Sequence, residues 1–222
     1  TLAMQAAASF LKSKSDCSVL YIYSGKPFSM RRFEQIVCGL NMDVQSALAK
    51  LVLQHAGDLD SQSNCLSVEH LDNLASATVS PVRMLIVDSI SANFRVHRRT
   101  RDVSFRLQSM VFAMQDFAKK YNAYVLCTNE VSSQLLSEEE CYVNKSQAPS
   151  GNDLSYKPAL GLAWSNSVST RIEMKRKIRA DASDIVGPDR EIIVHRSNES
   201  PFTHVRCRLC DNGLQGVDSL VQ

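Results

Sequence analysis

Four near-continuous apolar runs, each separated from the next by a stretch of helical period, constrain this chain more than any other feature. SVLYIYS (18–24), rich in β-branched and aromatic residues, is followed by LVLQHAG (51–57), VRMLIVDS (82–89) and AYVLCTN (123–129). Strands of this kind are buried on both faces, the condition of a parallel sheet covered by helices. Residues 2–11 set Leu2, Ala3, Ala6, Ala7 and Phe10 on one broad face, with small residues that permit close approach to a sheet. A short helix is predicted from Ser29, a capping residue, over 29–40. Another over 67–76 gathers Val68, Leu71, Leu74 and Ala75. The longest, 102–121, repeats Val103, Leu107, Met110, Met114, Phe117 and Tyr121 at helical spacing. The polar stretch 131–157 has little periodicity and reads as a long functional loop. Strand candidates near 168–174, 190–196 and 204–209, with turns at Gly187-Pro188 and Asn212-Gly213, predict an antiparallel C-terminal extension of the main sheet.

The 222 residues suit one α/β domain, or one domain with appendages, and 44 % hydrophobic residues suffice for a full core. Net charge is +2, so any nucleic-acid binding must come from a local patch. The seven cysteines are scattered, several within apolar runs, which is the usage of a reducing compartment and not of a disulfide framework. Cys207 and Cys210 make a single CxxC with no second pair at zinc spacing, and read as strand residues. No apolar run approaches the ~20 residues of a membrane span. The chain opens on Thr1 inside a helical pattern with no cap, as expected for an internal piece of a longer protein.

The third strand ends on Asp88. A parallel strand ending on Asp sets a carboxylate at the sheet's C-terminal edge, where open α/β folds bind ligands. Such an Asp holds the magnesium of a nucleotide in proteins with a phosphate-cradling loop, or it caps the following turn. Arg95, Arg98, Arg99 and Arg101 follow within seven residues, either a phosphate-contacting cluster or a solvated basic loop. RIEMKRKIR (171–179) is a second basic cluster, read as a hairpin tip, a duplex contact or an import signal.

RMLIVDSISANFR (83–95), YVLCTNEV (124–131) and PALGLAWSNSVSTRI (158–172), in that order, resemble the RecA-like recombinases. Within them the likeness is to eukaryotic paralogues of the strand-exchange recombinase, nearest the X-ray-repair cross-complementing group-three (spindle-B-type) branch. The resemblance covers nearly the whole chain. It implies a P-loop ATPase core over 1–222 that lacks its GxxxxGK[ST] loop and upstream region, since Thr1 falls at or just after that loop's magnesium-binding hydroxyl. It implies ATP and Mg2+ as cofactors, with Asp88 (metal, through the nucleotide), Ser89, Asn129 and Glu130 at the nucleotide, and Arg95, Arg98, Arg99 and Arg101 on DNA.

The resemblance also exposes departures. Gly25 stands where the family carries the glutamate that orients the attacking water, and glycine cannot act as a base. Glu130 replaces the glutamine that couples phosphate to the second DNA loop, and that loop carries Glu138, Glu139 and Glu140. HRSNESP (195–201) matches the segment that covers a neighbouring protomer's nucleotide. The implied function is that of a nuclear, DNA-binding accessory subunit of homologous recombination and double-strand-break repair, including meiotic repair. Its implied partners are single- and double-stranded DNA, other recombinase paralogues and the main strand-exchange recombinase, with no membrane. The alternative is a non-catalytic scaffold using the fold for protein contacts only.

Overall fold

The computed structural model describes residues 1–94, 101–134, 155–176, 189–199, 201 and 203–217. In chain order the first half runs α1 (Leu2–Ser13), β1 (Ser18–Tyr23), α2 (Met30–Gly39), α3 (Val44–Ala49), β2 (Leu51–His55), α4 (Leu59–Cys65), α5 (Val68–Ser76) and β3 (Val82–Asp88). A 3-10 turn (Ala92–Phe94), α6 (Arg101–Tyr121) and β4 (Tyr124–Cys127) follow. Then come β5 (Val131–Gln134), β6 (Ser155–Pro158), α7 (Gly161–Ser167), β7 (Arg171–Arg176), β8 (Asp189–Arg196), β9 (Thr203–Cys210) and β10 (Gly213–Gly216).

The four apolar runs form one sheet in the order β2-β1-β3-β4, parallel throughout. Because successive side chains point to opposite faces, each strand feeds two cores. Val19, Tyr21, Met84 and Ile86 pack beneath α1, α2 and α3. Leu20, Ile22, Leu85 and Val87 pack beneath α4, α5 and α6. Each aliphatic side chain so removed from water contributes about 1.5–3 kcal/mol. The chain crosses from β1 to β2 and returns past β1 to β3, so the crossovers reverse direction at β1/β3. A crevice outside the strand ends at such a reversal is where sheets of this type bind ligands.

The caps explain the helix starts. Ser29 accepts from the Arg32 amide, and Ser67 from the His70 amide at 3.2 Å. Asp43 and Asp58 do the same for α3 and α4 at 2.7 Å each. These two helices have only six and seven residues, too short for an apolar period to show in the sequence. In α1 the buried face is Ala3, Met4, Ala7, Ala8 and Leu11, rotated from the expected one, which leaves Leu2, Ala6 and Phe10 half-buried. The α6 stripe lies as expected, with Leu107, Met110, Met114 and Phe117 buried and Val103 and Tyr121 packed at its margins.

Two expectations change. The ends of the 131–157 stretch are not loop: β5 and β6 pair antiparallel, Val131 opposite Pro158 and Gln134 opposite Ser155. Residues 135–154, with Glu138, Glu139 and Glu140, lie outside the described residues, as do 177–188 with the Gly187-Pro188 turn. The antiparallel C-terminal strands are present, but among the described residues they form a sheet of their own, β10-β9-β8-β7. The segment before β7 coils into α7, which delays that strand to Arg171.

This second sheet is clasped to α1 and α2. The Gln5 amide donates to the Leu214 carbonyl at 2.9 Å, and the Leu214 amide donates to Gln5 Oε1 at 2.5 Å. Arg32 donates to the carbonyls of Cys210 and Asp211, 2.6 Å each. Gly39 lies so close to the β9–β10 turn that a Cβ there would come within 2.5 Å of Asn212 Cβ. Cys207 is buried in β9 and Cys210 half-buried, and their odd separation on a strand sends the two thiols to opposite faces. No helix among the described residues is long and apolar enough to cross a membrane.

Candidate functional site

The site assembles where β1, β3 and β4 end. Asp88 terminates β3, half-buried, between Tyr21 on β1 and Thr128 just beyond β4. The Tyr21 hydroxyl donates to Asp88 Oδ2 at 2.6 Å, and Thr128 Oγ1 donates to Oδ1 at 2.5 Å. Both distances are in the range of charge-assisted hydroxyl–carboxylate bonds. Burial, with the neighbouring Asp88 charge and hydrogen bond, pushes the Tyr21 phenol well above its ordinary range, so it remains a donor at physiological pH.

The turn after Asp88 is stitched by hydroxyls. The Ser24 amide donates to the Asp88 carbonyl at 2.9 Å and its hydroxyl to the Ser89 carbonyl at 2.6 Å. The Asp88–Ser89 peptide bond is cis. Ser89 Oγ accepts from the Ala92 amide at 3.2 Å, which gives this expected nucleotide residue a role in holding the 3-10 turn. Helix α1 packs against β1 and β3 beside this edge. Asn129 donates to the Ala159 carbonyl at 2.9 Å, and its Oδ1 is buried without a partner among the described residues. The Glu130 amide donates to Ser91 Oγ at 3.0 Å.

Asp88, Ser89, Asn129 and Glu130 therefore meet at one sheet edge. Arg101 stands exposed at the start of α6, and Arg95, Arg98 and Arg99 lie outside the described residues. Gly25 sits two residues past β1 with φ +77°, a left-handed conformation that glycine adopts without strain. A glutamate at that position would be strained by about 1–2 kcal/mol. Sequence reading missed Tyr21 and Thr128. The available signal was a tyrosine inside an otherwise aliphatic buried strand, since a buried phenol needs a hydrogen-bond partner. A groove of about 560 Å3 between α4, α5 and α6 is lined by Leu66, Val68, Phe105 and Phe112, away from these residues.

Mg2+ is commonly held by one or two carboxylates together with substrate phosphates. One carboxylate at a sheet edge among hydroxyls fits that donor set: each Asp88 oxygen keeps a lone pair beyond the one its hydroxyl partner uses.

The Rad51 family profile matches residues 1–181. The chain belongs to the Rad51 family. Among proteins of this family, it is 26 % identical over 217 residues to the DNA repair protein XRCC3 of Mus musculus, covering 91 % of this chain and 60 % of that protein. It is 30 % identical over 131 residues to the DNA repair and recombination protein RadB of Thermococcus sibiricus, covering 59 % of this chain and 53 % of RadB. With the meiotic recombination protein DMC1 of Saccharomyces cerevisiae it shares 34 % over 119 residues, 52 % of this chain and 34 % of DMC1. The chain thus spans between a third and three fifths of these Rad51-family relatives, all DNA repair or recombination proteins. The crystal structure of the RadB recombinase superposes with a TM-score of 0.70 at 17 % identity, over 97 % of this chain and 87 % of that one. The fold is RecA-like.

Proposed function

We propose that this chain is the ATPase-core portion of a DNA-binding accessory subunit of homologous recombination, one that binds Mg–ATP and turns it over slowly or not at all. The observation that carries this reading is Asp88, anchored at the C-terminal end of β3 where the sheet's crossovers reverse. In this reading the nucleotide's triphosphate, with its magnesium, supplies the charge that Asp88 faces, and Ser89, Asn129 and Glu130 line the approach. Slow turnover follows from Gly25: the residue matching the family's water-orienting glutamate has no side chain and a backbone unsuited to one. The arginines 95, 98, 99 and 101 contact DNA phosphates. The working location is the nucleus, in double-strand-break repair that includes meiosis, beside other recombinase paralogues and the main strand-exchange recombinase.

A second reading, a scaffold without nucleotide, is favoured by one observation: both Asp88 oxygens already accept hydrogen bonds from the protein itself. One experiment separates the two. In the full-length protein, Asp88→Asn is expected to weaken Mg2+-dependent binding of a fluorescent ATP analogue by about tenfold or more, the scale of a charge-assisted contact, with the circular dichroism unchanged. Replacing Arg98, Arg99 and Arg101 by Ala is expected to flatten the log affinity against log salt plot for single-stranded DNA by roughly two units, at about 0.7 per phosphate contact. Parental values in both arms would leave the scaffold.

A further inference from the structure

Tyr21 and Thr128 reach the same carboxylate from the two strands that flank β3. From this geometry we infer that both are positioning residues for a divalent cation with a triphosphate at Asp88, and that Thr128 alone also couples that carboxylate to the β5–β6 hairpin. The inference rests on the nucleotide reading above and adds to it a means of regulation.

The positioning argument starts from the two oxygens. A carboxylate bonded at one oxygen can still rotate about its terminal bond, a broad and soft torsion. Bonded at both, at 2.6 and 2.5 Å, it cannot turn without giving up a charge-assisted hydrogen bond. Mg2+ demands near-ideal octahedral geometry, so a fixed carboxylate plane favours it over a mobile one. Tyr21 is wholly buried and Thr128 half-buried, so the hydroxyls are held in place by packing as well as by their acceptor.

The coupling argument follows the chain onward from Thr128. Its backbone is locked to β3 and to the turn after it: the Thr128 amide donates to the Val87 carbonyl at 2.9 Å, and the Ile90 amide donates to the Thr128 carbonyl at 3.0 Å. The next residue, Asn129, donates to the Ala159 carbonyl at 2.9 Å. Glu130 completes the ladder, since the Ala159 amide donates to its carbonyl at 2.8 Å. The first hairpin pair, Val131 opposite Pro158, comes immediately after. A displacement of the Asp88 carboxylate therefore has a continuous hydrogen-bonded route into the base of the hairpin through Thr128. Tyr21, in the middle of β1, offers no such route.

The test uses the full-length protein and a fluorescent ATP analogue titrated with Mg2+, with and without oligo(dT). Tyr21→Phe is expected to raise the Mg2+ concentration for half-maximal binding by about tenfold, the scale of one hydrogen bond to a charged group, with binding in EDTA and the effect of oligo(dT) unchanged. Thr128→Val is expected to raise the Mg2+ midpoint similarly and also to remove the change in nucleotide affinity that oligo(dT) causes, a linkage that must be reciprocal. Thr128→Ser, which keeps the hydroxyl, is expected to restore both. Parental Mg2+ midpoints in Tyr21→Phe and Thr128→Val overturn the clamp while the nucleotide reading stands. Equal effects of the two variants on the oligo(dT) response overturn the special role of Thr128. A parental protein with no Mg2+-dependent binding overturns the nucleotide reading, and this inference with it.

Discussion

The two four-stranded sheets are built on opposite principles. In the parallel sheet, Val19 to Ile22 and Leu85 to Val87 are at most 1 % exposed, roofed by helices on both faces. In the antiparallel sheet, one face carries the ion pairs Lys175–Glu173 (3.3 Å) and Arg208–Asp189 (2.8 Å), with His195 against Glu173 (2.6 Å) and His204 near Glu191 (3.6 Å). The strand registers set Ile172, Met174, Ile192, Val194, Val205 and Cys207 on the other face. There Ile172, Met174 and Val205 remain 51, 39 and 46 % exposed. Desolvation holds the first sheet, whereas exposed ion pairs are worth little, about 0–1 kcal/mol each. The frame that fixes Asp88 is thus the more deeply buried half of the molecule.

The contrast breaks most readily in the core. Leu85→Ala should cost about 2–5 kcal/mol, read as a lower urea midpoint, against less than about 1 kcal/mol for Val205→Ala. Equal losses would mean that the antiparallel sheet is as well packed as the parallel one. The joint between the sheets comes next. Gly39→Ala should cost about 1–3 kcal/mol, the range for overpacking, because the new Cβ must displace Asn212. Amide exchange should quicken in β9 and β10 and stay slow in β1 and β3; uniform quickening would show a single cooperative unit.

The smallest effects are electrostatic and lie in acid. On α5, the Asp72 carboxyl is held below its ordinary range mainly by the hydrogen bond from Lys120 (2.6 Å), with Tyr121 adding to it, while burial opposes. In Glu173, burial acts to raise the carboxyl, and the hydrogen bonds from His195 and Lys175 outweigh it. For both, the folded pKa lies below the unfolded one, near 4. Their stabilisation is therefore complete above that pH and disappears as pH falls through the folded value. Asp72→Asn and Glu173→Gln should each flatten the acid limb of the Tm profile by an amount equivalent to less than about 1 kcal/mol. A steeper loss from Glu173→Gln than from Leu85→Ala would invert the ranking of the two sheets.

Much of this was legible in the letters. Strands buried on both faces announce themselves as apolar runs, so β1 to β4, and the helix stripe from Val103 to Tyr121, followed from period alone. The six- and seven-residue helices α3 and α4 did not, since their starts rest on Asp43 and Asp58 caps and not on a repeat. Asp88 stood out because a charge ended an apolar strand. Tyr21 and Thr128 did not, because their meaning depends on register: only when β1, β3 and β4 lie side by side do two ordinary hydroxyls converge on one carboxylate. Gly25 was legible as a missing glutamate. Its left-handed backbone, which makes the position unsuited to a glutamate, was not.

The direction of the crossovers carries one more consequence. The path from β1 to β2 goes over the face of α2 and α3, and the paths from β2 to β3 and from β3 to β4 go the other way over the face of α4, α5 and α6. This is one consistent handedness, as parallel connections almost always show. Helix α1 lies on the α2 side and leads into β1. The outer edge of β4 is one edge of this parallel sheet. Among the described residues β4 pairs only with β3, and β7 only with β8. The outer edge of β4 thus carries a row of backbone amides and carbonyls of the kind that templates edge-to-edge association.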